Sequence, residues 1–129
     1  MKTTNAKRIT PVHAARFDAI KEGGCIIAHT LMISPEDVPV YCEVHHLTFG
    51  DRHGGKRLGH MHTVGLNPWS HRGVLVYDWT AERCTDVFGP SMAREPRKFR
   101  EAWPAALLLE LQNELLGNVP GALIRYGEE

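Results

Sequence analysis

The sequence predicts an α+β fold: a small two-stranded antiparallel sheet closed by a helix, with several further helices packed around it. Three observations lead there. Val40-Tyr41-Cys42-Glu43-Val44-His45-His46-Leu47-Thr48 is rich in β-branched and aromatic residues and roughly alternates, which suits a half-buried strand. A short second run over 62–66 follows a glycine-rich loop and returns antiparallel, and Pro68 then opens a helix that carries His71. Helical signals with caps flank this strand, loop, strand, helix unit on both sides.

Taken in order, Thr10 is an N-cap, Pro11 suits N1, and Gly23-Gly24 is a stop signal, giving a helix over about 11–22. Residues 25–32 form a short apolar run expected as a strand or a tucked-in loop, and 34–39 carries turn chemistry with two prolines. The central unit spans about 40–73. Between its strands, residues 50–59 make a basic loop with Arg52, Lys56 and Arg57. Thr80-Ala81-Glu82-Arg83 offers an N-cap with an acid close behind it, for a helix over 80–88 that stops at Gly89-Pro90. Leucines at 107, 108, 111 and 115 give the helix over 105–116 an apolar face. There is no internal repeat, low-complexity tract or linker, so residues 1–129 are expected to form a single domain.

Composition narrows the function classes. Lys plus Arg and Asp plus Glu both number 15, so net charge gives no support to a broad basic surface of the kind that coats nucleic acid, and any DNA binding must come from local clusters. Three cysteines, Cys25, Cys42 and Cys84, and a polar start without an apolar leader argue against a disulfide framework and for a reducing cytoplasm. The longest apolar stretch, 105–109, is far short of the roughly 20 residues that span a bilayer, so no membrane role is expected.

The unusual feature is eight histidines in 129 residues, most of them between His45 and His71. Imidazole is both a common metal ligand and the side chain that titrates near neutral pH. Neighbouring histidines at a strand terminus point to different sides and can take different tasks, one binding metal and the other acting as base. Phosphodiester hydrolysis needs both: a base to activate water, and a cation to stabilise the phosphorane and the departing 3′ oxygen. His45 and His71 are the candidate metal ligands and His46 the candidate base. Two protein ligands leave coordination positions for phosphate oxygens and water. Arg52, Lys56, Arg57, His60, Arg72 and Arg94 are the candidate DNA contacts. His13, His29 and His53 are expected to be structural or surface residues, His13 lying away from the motif. The run Arg94, Arg97, Lys98 and Arg100, interrupted by acids, is expected as a solvent face. Trp69 and Trp103 are expected to pack, and Cys84 to be inert.

The pair His45-His46, the strand-to-helix spacing and the closing His71-Arg72-Gly73 resemble the HNH signature of ββα-metal (His-Me finger) nucleases. More closely, His45-His46-Leu47, Arg57-Leu58-Gly59-His60, Thr63-Val64-Gly65-Leu66, Pro68-Trp69 and His71-Arg72-Gly73 resemble the phage recombination-enhancement-function nucleases, which depend on RecA. Gly89-Pro90-Ser91-Met92-Ala93-Arg94 and Phe99 are similar to that family's tail, so the likeness covers about 24–116. It implies an HNH endonuclease of phage or prophage origin that cuts DNA in a bacterial cell, with a RecA-type filament as partner. Mg²⁺ or Mn²⁺ is the working ion expected for turnover, and two imidazoles also suit Zn²⁺ or Ni²⁺. His62 falls where the HNH pattern has its middle asparagine, which orients the base; a histidine there donates a hydrogen bond or becomes a third ligand.

The same likeness implies a structural zinc knuckle, but its positions read Cys25, Ala28, Asn67 and Ser70 here. No structural zinc is therefore expected unless Cys25, His29 and Cys42 regroup as a different site. A non-catalytic nucleic-acid-binding or recombination-accessory module on the same scaffold is the rival reading. The oligomeric state and the form of DNA recognised stay open.

Overall fold

The computed structural model describes residues 8–34, 41–48, 58–117 and 126. Helix α1, Pro11–Gly23, begins as expected, with the Thr10 hydroxyl accepting from the His13 amide while the Thr10 amide donates to His13 Nδ1 at 3.1 Å. It ends at Gly24, whose φ of 81° is a conformation that glycine adopts without a Cβ penalty.

Residues 25–32 depart from the strand or loop expected of them. They fold into helix α2, Ile26–Thr30, with the Cys25 sulfur as N-cap accepting from the Ala28 amide and with Ile26 and Ile27 buried. A five-residue helix is too short to display a 3.6-residue period, so its apolar start is indistinguishable from a strand.

Strands β1, Glu43–His46, and β2, Thr63–Leu66, pair antiparallel as expected, with Glu43 opposite Leu66 and His46 opposite Thr63. Val44, His46, Thr63 and Gly65 share one face of this ribbon, and Glu43 and His45 the other. Helix α3, Pro68–Arg72, follows at once, capped by the Asn67 side chain, which accepts from the Ser70 amide at 2.7 Å. Helix α4, Ala81–Phe88, is capped by Thr80 as expected.

Helix α5, Pro96–Ala102, was not foreseen, because Glu95 makes no side-chain cap and only Phe99 is buried. Arg97 and Lys98 still face solvent as expected, being 88% and 71% exposed, whereas Arg100 is half-buried. Helix α6, Ala105–Leu116, has the predicted bounds, but its inward face is Ala105, Leu108, Leu109, Gln112 and Asn113, while Leu107 is 38% exposed. Two buried amides displace a leucine from the expected stripe because each has a partner inside: Gln112 Oε1 accepts from the Gly65 amide and Asn113 Oδ1 from Arg16.

The main core gathers Ile20, Ile26, Ile27, Val64, Leu66, Phe99, Leu108 and Leu109, with Trp103 packed on its edge. A second cluster of Trp69, Cys84 and Phe88 joins α3 to α4. Trp69 and Trp103 are thus packing residues, as expected. The architecture among the described residues is α+β, with six helices and one two-stranded sheet. No described helix is long and apolar enough to cross a membrane.

Candidate active site

The site grows from the end of β1. Because side chains alternate along a strand, Glu43 and His45 face α3 while His46 turns toward α1, and their partners differ accordingly.

On the α3 side, Asn67 and Pro68 set the helix start, so that His71 and Arg72 fall in its last turn beside the strand. Gly73 ends the helix in the left-handed region with φ 71°. The rings of His45 and His71 lie 4.8 Å apart between centroids, tilted by 59°. His71 Nδ1 is 2.9 Å from Glu43 Oε1, both side chains being about one-quarter exposed. Arg72 Nε donates to both Glu43 oxygens at 2.9 and 3.0 Å. The hydrogen bonds from Arg72 first, and then from His71, hold the Glu43 carboxyl below its ordinary range against the opposing effect of burial. A carboxylate on Nδ1 leaves the other ring nitrogen, Nε2, as the atom of this ring that could coordinate a metal.

On the α1 side, His46 Nε2 lies 2.9 Å from His60 Nδ1. The edge of Phe17 meets both rings, at 6.0 and 5.7 Å between centroids, and His13 lies against His60 at 4.8 Å. His13, expected away from the motif, is therefore a neighbour of it: residues 13, 16, 17 and 20 share one helical face, and that face covers β1 and β2. Arg16 is fully buried there; its Nε and Nη2 donate to Thr63 Oγ1 and O at 2.9 and 2.7 Å, and its Nη1 to Asn113.

His62 is 1% exposed, and its ring stands 6.0 Å from that of Tyr126, whose hydroxyl donates to Thr48 O. One hydrogen-bond partner of the His46 ring is His60, two residues before His62. Arg94 donates from Nε to Gly73 O at 3.0 Å and lies over Trp69, which fixes it near the end of α3. Arg72 is committed to Glu43. Arg52, Lys56 and Arg57 lie outside the described residues.

Cys25, His29 and Cys42 do not regroup. The Cys25 sulfur accepts from Asn67 Nδ2 at 3.1 Å, Cys42 donates to Ile20 O, and His29 is exposed. Burial first, and then the neighbouring Cys25, push the Cys42 thiol up to about 11. Among the described residues no three His, Cys, Asp or Glu side chains are gathered to hold a metal ion; His45 and His71 bring two imidazoles together, with Glu43 behind His71.

Reasoning from sequence missed Glu43, Arg16 and His13. Glu43 had one available signal: at two residues before His45 it shares that residue's face. Arg16 and His13 had none, since a charged residue on a capped helix ordinarily faces water.

The recombination enhancement, RecA-dependent nuclease family matches residues 9–117. No curated protein and no solved structure gives a significant match. The family match takes in every element from α1 to α6 and both sides of the site, and the chain belongs to the recombination enhancement, RecA-dependent nuclease family.

Proposed function

We propose that this chain is a metal-dependent endonuclease of the HNH, ββα-metal type, which hydrolyses DNA phosphodiester bonds in phage or prophage recombination under the direction of a RecA-type filament. The observation that supports the reading is the split of contacts at the end of β1, where the His45 ring lies against His71 and the His46 ring against His60. The family supports the substrate and the recombinase partner.

The donor set fits a divalent ion. His45 and His71 would hold it through imidazole nitrogens, with Glu43 fixing the ring of His71. Such an ion supplies charge neutralisation at the phosphate and the departing oxygen; Mg²⁺ or Mn²⁺ serves turnover, and Zn²⁺ or Ni²⁺ suits the same donors.

The remaining work falls to the chain's own residues. A neutral His46 that donates from Nε2 to His60 carries its lone pair on Nδ1, the arrangement a base needs to take a proton from water. His62, buried behind the strand ends, supports them through its carbonyl, which accepts from the Leu47 amide at 2.9 Å. Arg52, Lys56 and Arg57, which lie between the two strands in sequence, and Arg94, near the end of α3, contribute the positive charge that draws in phosphates, while Arg72 stays paired with Glu43.

The test is incubation of purified protein with supercoiled plasmid and single-stranded circles, with EDTA, Mg²⁺, Mn²⁺ or Zn²⁺, with and without a recombinase filament. Metal-dependent cutting is expected. DNA that is bound but intact in every condition would instead identify a non-catalytic binding module.

A further inference from the structure

The reading of His46 as base leaves a chemical question: a neutral imidazole has two tautomers, and only the one protonated on Nε2 offers Nδ1 to a water. We infer that His60 is the positioning residue that holds His46 in this tautomer, and that one face of α1 holds His60. The inference rests on the proposed role of His46.

The contact itself is His46 Nε2 to His60 Nδ1 at 2.9 Å, a distance at which one nitrogen donates and the other accepts. When His60 accepts at Nδ1, its own proton sits on Nε2, and His46 keeps its proton on Nε2. When His46 then takes a proton at Nδ1, the imidazolium still donates from Nε2 to the same acceptor, so no rearrangement accompanies the transfer. The pairing does the work that a carboxylate or carbonyl does behind other catalytic histidines.

His60 is itself constrained from three directions. Its carbonyl accepts from Thr63 Oγ1 at 2.9 Å. That hydroxyl in turn accepts from Arg16 Nε at 2.9 Å, and Arg16 Nη2 grips the Thr63 carbonyl at 2.7 Å. The ring is boxed by His13 at 4.8 Å and by the edge of Phe17 at 5.7 Å. Thr63 is also the strand partner of His46, so Arg16 fixes the backbone on which both histidines depend. His60 is thus assigned to the base rather than to DNA.

Two measurements test this on the full chain. Nitrogen-15 NMR of the imidazoles should show His46 protonated on Nε2 in the wild-type protein; protonation on Nδ1 overturns the inference, whatever the variants do. In plasmid cutting, His60→Ala should lower kcat about 10- to 100-fold with KM for DNA unchanged. His60→Asn, whose amide oxygen restores an acceptor, should recover most of the loss. A His60→Ala protein with normal kcat and raised KM contacts DNA instead, which overturns the inference. His46→Ala run alongside separates the two claims: if it cuts at the wild-type rate, the base assignment fails and the positioning role fails with it. If His46→Ala is dead and His60→Ala is normal, only the positioning role fails.

Discussion

Glu43 grips His71 from behind: its Oε1 lies 2.9 Å from His71 Nδ1, and both its oxygens accept from Arg72 Nε. One carboxylate therefore orients the proposed metal ligand and neutralises the cation next to it. Replacing Glu43 by Gln keeps the shape but removes the charge. Affinity for Mn²⁺ or Zn²⁺, measured by calorimetry, should fall about 10- to 100-fold. Unchanged affinity would mean that Glu43 serves only Arg72.

Arg16 is fully buried and donates to three acceptors on two elements. Arg16→Met leaves those acceptors dry and without their donor, which should cost more than about 2 kcal/mol of folding free energy in urea unfolding. Arg16→Lys should recover little, because an ammonium lacks the planar fork that reaches Thr63 twice.

Gly65 has no room for a side chain. A Cβ there would stand 2.8 Å from Ile20 Cγ2, 2.9 Å from Gly24 O and 3.0 Å from Cys42 Sγ. The backbone carbonyl cannot swing away, so Gly65→Ala should destabilise by about 1 to 3 kcal/mol. Gly23→Ala is the control: its Cβ would meet only Leu115, at 3.5 Å, and stability should stay level or rise.

Burial keeps the Cys42 thiol protonated to about pH 11 in the folded chain, against an ordinary value of 9.0. The folded pKa is raised, so this contribution is fully present below pH 9 and is lost as pH rises from 9 through about 11. Stability should fall by up to about 2 to 3 kcal/mol across that window. Other groups titrate there too, so the test is the difference from Cys42→Ala, which should lose less over the same range.

Much of this architecture was legible because local chemistry and tertiary demand agree. Thr10-Pro11, Asn67-Pro68 and Thr80 each start a helix where the sequence places one, and the alternation around His45-His46 marks a real strand. Where signals were short or nonlocal, they failed. Helix α2 runs five residues from a cysteine cap, and α5 starts without a side-chain cap. The site divides the same way. His45, His46 and His71 were visible from spacing, and His45 and His71 do meet. The partners that orient the site were not: Glu43 reaches across 28 positions to His71, and Arg16 across 47 to Thr63. Such contacts are chosen by how α1 and α3 pack on the ribbon, which no local pattern records.

The central claim is that one strand end separates metal binding from proton transfer. Its most direct test measures Mn²⁺ binding and plasmid cutting together for His46→Ala and His71→Ala. His46→Ala should bind the ion like the wild type and fail to cut, whereas His71→Ala should lose both. A His46→Ala protein that cuts at the wild-type rate would contradict the account.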